Sequence, residues 1–263
     1  MSSPRLVATD LDGTLVRSDG SVSDRSRAAV AALEDRGVPV VFVTARPLRW
    51  MDDLWPMVGD HGLAIVSNGA IVYDVARREV RELRGIDREA GLVLLEAIRA
   101  AVPGAGVAIE TVSGIRRDPA YVDGHPVPEG SPRGRLEDLW TDPAAKLLVR
   151  HVGMDPVAFR EAVVAAVGDL ATPTWTLDGL MEISAPGVTK ASALVGLAAG
   201  LGVHAADVLA FGDMPNDVPM LTWAGTSYAM ANGHPDVRAA ADHEAPANDE
   251  DGVAAVLERV FGL

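Results

Sequence analysis

The run Val38–Thr44 (VPVVFVT) places the tightest constraint on what this 263-residue chain can fold into. It is β-branched and continuously apolar, without the polar alternation of a strand that has one wet face. Such a strand is covered on both faces, as in parallel sheets flanked by helices. The neighbouring segments agree. Arg5–Asp10 is a short apolar run that ends in an acid and enters the turn Asp12-Gly13-Thr14. Ser23–Arg36 reads as a helix capped by Ser23, with Val30 and Leu33 on one face and Gly37 as its stop. Leu48–Val58 reads as a weaker helix and Ala64–Ser67 as another short strand. Strands alternating with helices predict an α/β class with a parallel sheet.

The pattern then changes. Ile71–Asp74 and Glu79–Leu83 read as a hairpin and Ile86–Val102 as a helix. Strands are expected at Val107–Val112 and Ala145–Val152, with a Pro- and Gly-rich irregular stretch, Gly114–Pro132, between them. A helix over Asp155–Val167 and strands at Thr174–Leu177 and Leu180–Ser184 follow. From Lys190 the first pattern returns, with a helix over Ala191–Leu201, a strand over Val208–Phe211 and a final helix over Gly252–Phe261. The expected organisation is an α/β core built from residues 1–83 and 186–263, with an α+β module inserted at 84–185.

Composition removes several function classes. There are 37 acidic and 23 basic side chains, a formal net charge of -14. That surface repels polyphosphate backbones and anionic lipid, so neither nucleic acid nor a membrane surface is an expected partner. No cysteine is present, which excludes disulfides, thiolate metal sites and thiol catalysis and fits a cytoplasmic setting. The first residues lack the apolar core of a signal peptide. Ala191–Ala210 is broken by glycines and holds His204 and Asp207, so it does not read as a membrane span. The histidines show no HExxH spacing, and neither a GxSxG elbow nor a P-loop occurs.

Chemistry is expected where strands end. Ligands of open α/β sheets bind beyond the carboxyl ends of the strands, and Asp10 sits at such an end. Asp10 and Asp12, two residues apart and followed by Gly13, can offer a carboxylate and a backbone carbonyl to a hard cation such as Mg²⁺. Gly212-Asp213-Met214-Pro215-Asn216-Asp217 also follows a short apolar strand. Asp213 and Asp217 can add oxygens to the same cation, with Asn216 positioning them. Each stretch alone is an ordinary polar turn. Together they would crowd four carboxylates, which raise one another's pKa unless a cation neutralises them. Thr44 at a third strand end can bind a phosphoryl oxygen, and Arg46 can contact an anion bidentately. Lys190, opening a helix, can neutralise anionic charge, although lysine is mostly exposed. Ser67-Asn68-Gly69-Ala70 reads by itself as a structural turn.

These residues are similar, in kind and order, to the four motifs of the haloacid dehalogenase (HAD) superfamily. The motifs are DLDGTL at Asp10–Leu15, the strand ending at Thr44, Lys190, and GDMPND at Gly212–Asp217. TARP at Thr44–Pro47, SNGAIVYD at Ser67–Asp74 and GVTK at Gly187–Lys190 resemble its Cof-type branch with a class IIB cap. So do Met220, AMANG at Ala229–Gly233 and NDEDGV at Asn248–Val253. Ala45 stands where a glycine is usual, and Pro215 and Pro219 flank the Asn-Asp pair; neither departure removes a chemical group. The resemblance implies a Rossmann-like core with a class IIB cap, and a Mg²⁺-dependent phosphomonoesterase working through an aspartyl-phosphate. Asp10 would be the nucleophile and Asp12 the general acid and base. Thr44 and Lys190 would hold the phosphoryl group, helped by the backbone of Leu11 and Gly13, with Arg46, Asn68, Gly69 and Asn216 also lining the substrate site. Asp10, the Asp12 carbonyl and Asp213 would bind Mg²⁺, supported by Asn216 and Asp217.

Asp12 supplies the acid that a hydrolase needs, which disfavours ion-pumping and dehalogenating relatives. The expected partner is a small phosphorylated metabolite such as a sugar phosphate, the expected assembly a monomer or homodimer. The alternatives are a hexose phosphomutase-type phosphotransferase, or a phosphatase of a flavin precursor or of pyridoxal phosphate. Arg116, Arg117 and His125 in the irregular stretch are candidates to face a leaving group, against the commoner fate of solvated loop residues.

Overall fold

The structure is a computed structural model that describes residues 3–57 and 62–263. The chain separates into two compact units. One comprises Met1–Arg46, Trp50–Glu82 and Thr189–Leu263; the other comprises Pro47–Arg49 and Leu83–Val188.

In chain order the elements begin with β1 (Leu6–Thr9), α1 (Asp24–Asp35), β2 (Val40–Val43), β3 (Leu63–Val66), β4 (Ile71–Asp74) and β5 (Glu79–Leu83). Next come α2 (Arg88–Ala101), β6 (Gly106–Thr111), β7 (Gly114–Arg117), α3 (Leu136–Leu139), β8 (Lys146–Arg150), α4 (Pro156–Val167), β9 (Thr172–Leu177) and β10 (Leu180–Ser184). The chain closes with α5 (Lys190–Gly200), β11 (Val208–Gly212), α6 (Val218–Trp223), β12 (Thr226–Met230), α7 (Pro235–Ala240), β13 (His243–Ala245) and α8 (Gly252–Phe261).

The first unit holds an eight-stranded sheet in the order β13-β12-β11-β1-β2-β3-β4-β5. From β13 to β3 every pairing is parallel, and β4 turns back antiparallel to β3. Every residue of β1, β2, β3 and β11 is buried, as continuous apolar runs require. Leu6, Ala8, Val41, Val43 and Ile65 point to one face and pack against Leu194, Ala198, Met220, Leu221 and Val237 from α5, α6 and α7. The Ser23 hydroxyl accepts from the Ser26 N–H and starts α1, as its sequence signature predicts.

The second unit holds a five-stranded antiparallel sheet in the order β7-β6-β8-β10-β9. Asp155 caps α4 through two N–H groups, with Pro156 in its first turn. Two sequence expectations need correction. Leu48–Val58 is not one helix: Leu48–Trp50 and Trp55–Met57 are separate 3-10 turns, and Val58 lies outside the described residues. The turn at Asp52-Asp53 and the missing N–H of Pro56 account for the break. Gly114–Pro132 is not irregular throughout, because β7 occupies Gly114–Arg117 and pairs with β6 across the tight turn Val112-Ser113. Gly114, at φ +120°, permits that turn.

Candidate active site

Parallel register brings the predicted strand ends together. Thr9 of β1 stands opposite Phe211 of β11, and the Asp10 N–H donates to the Phe211 carbonyl at 3.1 Å. Asp10 and the loop after β11 therefore leave the sheet side by side. The ends of β2 and β3 lie next in the same row. The Thr44 N–H donates to the Ile65 carbonyl at 2.8 Å, and the Asn68 N–H donates to the Thr44 carbonyl at 3.1 Å.

Three carboxylates converge there. Asp10, Asp213 and Asp217 are buried, with one oxygen of each within 4.8 Å of the others. Lys190, the first residue of α5, is 1% exposed; its ammonium contacts Asp10 Oδ1 at 2.8 Å and Asp217 Oδ1 at 2.6 Å. The Thr189–Ser192 capping box fixes this end of the helix. Gly69 lets the turn after β3 lie against it: at φ +104°, any Cβ there would collide with the Thr189 carbonyl. Asp217 is further held by the N–H groups of Asp213 (3.1 Å) and Met214 (3.0 Å), both donating to Oδ2.

Charge in this cluster is out of balance. Burial works against the Asp10 anion and, despite Lys190, holds its carboxyl well above the usual range, with Asp217 and Asp213 adding repulsion. Burial and then Asp217 push Asp213 up to about 6. Burial also opposes the Lys190 ammonium, but Asp10 and Asp217 outweigh it and keep lysine charged beyond its ordinary range. Three carboxylates face one ammonium, a deficit of two positive charges if all are ionised. An all-oxygen donor set with that deficit suits a hard divalent cation. Two buried atoms beside it have no hydrogen-bond partner, Asn216 Oδ1 and Asn68 Nδ2, while Asn216 Nδ2 donates to Asn68 Oδ1 at 3.0 Å.

The expected fourth carboxylate does not join. Asp12 turns outward, with its side chain 58% exposed, and accepts two hydrogen bonds from Arg46, at 2.8 Å from Nε and 2.5 Å from Nη2. Outside the cluster, a bidentate guanidinium offers Asp12 the compensation that Lys190 cannot extend to another acid. Arg46 is thus engaged with Asp12. Thr44 is buried and its hydroxyl accepts from the Arg46 N–H at 3.0 Å. The Leu11 side chain is buried in the core, and its carbonyl accepts from Thr14 and Val16. Gly13 lies at φ +79°, and a Cβ there would collide with the Asp213 carboxylate.

Asn68 is more than a turn residue. It is buried in a left-handed conformation at φ 58°, tied to Asn216. Sequence reasoning assigned no role to Thr14, whose hydroxyl donates to Asp213 Oδ1 at 2.6 Å; the signal was its place inside DLDGTL. Arg116 and Arg117 are engaged with Asp142 and Asp123, each at 2.6 Å. Among the described residues no helix is long and apolar enough to cross a membrane.

The model of the haloacid dehalogenase-like hydrolase family matches residues 7–257. A phosphoglycolate phosphatase of Methanothermobacter thermautotrophicus is 28% identical over 258 residues, covering 98% of this chain and 99% of that protein. A 5-amino-6-(5-phospho-D-ribitylamino)uracil phosphatase of Bacillus subtilis is 27% identical over 266 residues, covering 99% and 98%. Among solved structures, a phosphatase of the haloalkanoate (HAD) enzyme superfamily from Bacteroides thetaiotaomicron superposes with a TM-score of 0.85. It is 23% identical and covers 99% of this chain and 96% of its own.

Proposed function

This chain belongs to the haloacid dehalogenase-like hydrolases and is a phosphatase of that family, and from that premise we propose that it hydrolyses a small phosphomonoester through a phosphoaspartate on Asp10. A sugar phosphate or related metabolite is the proposed substrate class. The observation that carries the reading is the buried cluster of three carboxylates against one ammonium at the carboxyl ends of the strands. That surplus of negative charge matches a divalent cation and, once the cation is present, a phosphoryl group.

Asp10 attacks phosphorus as the bond to the leaving-group oxygen breaks. Asp12 gives that oxygen its proton, and then takes a proton from the water that attacks the phosphoaspartate, which frees inorganic phosphate and restores Asp10. Asp12 suits this exchange because it reaches solvent, and it must turn from Arg46 to perform it. Lys190 and the Thr44 hydroxyl hold the phosphoryl oxygens, together with the N–H groups of Leu11 and Gly13. Asp10, the Asp12 carbonyl and Asp213 would hold Mg²⁺, with Asn216 and Asp217 in support. When bound, the cation neutralises charge on the nucleophile and the phosphoryl group. Residues 84–185 are assigned the role of a cap that excludes bulk water during turnover.

A phosphate-release screen over sugar phosphates, nucleotides and coenzyme phosphates tests this, with Mg²⁺ or with EDTA. The expected result is release that needs Mg²⁺ and is lost in Asp10→Asn. Release that ignores EDTA or survives in Asp10→Asn contradicts the mechanism, and transfer to a second sugar position without release identifies a mutase.

A further inference from the structure

Two stretches from the far end of the chain, Ala229–Gly233 and Asn248–Val253, have no part in the chemistry above, yet both meet the loop that carries Asp10 and Asp12. Asn232 Nδ2 donates to the Gly13 carbonyl at 2.8 Å. Asn232 Oδ1 accepts from the Asn248 N–H at 3.0 Å, and Asn248 Nδ2 donates to the Val16 carbonyl at 3.0 Å. The link from Gly13 back to Val16 thus runs through the Asn232 side chain, the Asn248 backbone N–H and the Asn248 side chain. The loop is pinned again just beyond: Arg17 contacts Asp251 at 2.7 Å, and Ser18 donates from both N and Oγ to Asp249 at 2.8 Å.

The loop needs this help. Between Leu11 and Arg17 its local bonds are Thr14 N–H and Val16 N–H to Leu11 and the single bridge of Asp12 with Val16. Gly13 is in the left-handed region, where glycine has many neighbouring conformations open to it. A peptide is planar, so fixing the Gly13 carbonyl also fixes the Thr14 N–H and limits where the Thr14 side chain can point. That side chain holds Asp213. Asn248 is buried, so its amide must be paired to be tolerated; Asn232 is exposed and is under no such demand.

We propose that Asn232 and Asn248 are positioning residues, a brace that holds the Gly13–Thr14 peptide so that Thr14 keeps Asp213 in its aim. Neither touches substrate. The kinetic part of this proposal rests on the phosphatase reading; the structural part does not.

Asn232→Ala is the decisive variant, because an exposed side chain can be truncated without emptying the core. Misplacement of a reacting group by a fraction of an ångström is expected to lower kcat about tenfold while KM stays within about twofold. Mg²⁺ binding, measured by calorimetry without substrate, is expected to weaken about threefold, because the aim of Asp213 depends on the same brace. Asn248→Ala, which frees the Val16 carbonyl but keeps its N–H on Asn232, should give a smaller loss of kcat with a lower melting temperature. The double variant should match Asn232→Ala in kcat, since Asn248 reaches Gly13 only through Asn232. The amide resonances of Thr14 and Asp213 in metal-free protein should move in both variants. Unchanged kcat and Mg²⁺ affinity in Asn232→Ala, or kcat losses that multiply in the double variant, would overturn the brace. If the wild-type chain releases no phosphate, the phosphatase reading fails by itself. The resonances then decide the brace, and unmoved Thr14 and Asp213 signals reject it.

Discussion

Each unit buries a set of charged side chains against its sheet, and the two sets differ in how their charges add up. In the second unit Glu110, Lys146 and Glu182 lie on the adjacent strands β6, β8 and β10, all at most 3% exposed. Lys146 pairs with Glu182, and Arg49 holds Glu110 by two hydrogen bonds of 2.9 and 3.1 Å. Two acids meet two bases. In the first unit Asp10, Asp213 and Asp217 converge on Lys190, which contacts Asp10 and Asp217. Burying charge is costly in both places, but only in the second unit is each acid paired with a base, although Glu182 Oε2 there has no hydrogen-bond partner. The uncompensated set is the one that calls for a ligand, and imbalance rather than burial marks the site.

The contrast is most exposed to failure by Asp10→Asn. Turnover should fall by about four orders of magnitude or more if Asp10 is the proposed nucleophile, since an amide does not form the phosphoaspartate. The metal-free variant should nevertheless melt no lower than the metal-free wild type at pH 8, since one surplus negative charge is gone. A large fall in melting temperature would mean that Asp10 belongs to the scaffold. Glu182→Gln should behave in the opposite way. It sets a neutral amide against the buried Lys146 ammonium, and removing one charge of a buried pair costs roughly 3–5 kcal/mol, which Mg²⁺ will not restore. Wild-type denaturant unfolding in Glu182→Gln would remove the distinction between the two sets.

The pH dependence sharpens the comparison. Asp213 in the metal-free fold titrates at about 6 against the ordinary 3.8. A carboxyl raised on folding stabilises the fold below its unfolded pKa, and that contribution is lost as pH rises through the folded value. The metal-free protein should thus lose stability as pH rises from about 4 through about 6. Because bound Mg²⁺ neutralises the carboxylates, the gap between melting temperatures in Mg²⁺ and in EDTA should widen over that range. A constant gap would contradict the assignment. The smallest effect belongs to a pair at the surface: Arg238→Ala, which releases the half-exposed Glu244, should move the melting temperature by no more than about 2 °C. A larger shift would show that balance matters outside the buried sets too.

The outline of the first unit was legible because its signals are local. A fully apolar strand has few options, and an acid directly after one emerges at the carboxyl end of the strand, as Asp10 and Asp213 do. Ser23 announced its helix for the same reason. The pose of Asp12 was not legible: the turn of the backbone at Gly13 and the presence of Arg46 decide it, and Arg46 lies 34 residues away. The brace was half legible, since AMANG and NDEDGV stood out as patterns while the carbonyls they hold are more than 200 residues distant. The pairing of Lys146 with Glu182 links strands 36 residues apart, and neither strand's pattern hints at the other. Leu48–Val58 failed for a simpler reason: Pro56 was on view and outweighs weak periodicity.

Calorimetric titration of Mg²⁺ into EDTA-stripped protein at pH 7.5, beside Asp213→Asn, puts the central claim to the most direct test. An acidic cluster that exists to hold a cation predicts one Mg²⁺ bound per wild-type chain, and binding at least about tenfold weaker in Asp213→Asn. No binding to the wild type, or equal binding to both proteins, would contradict it.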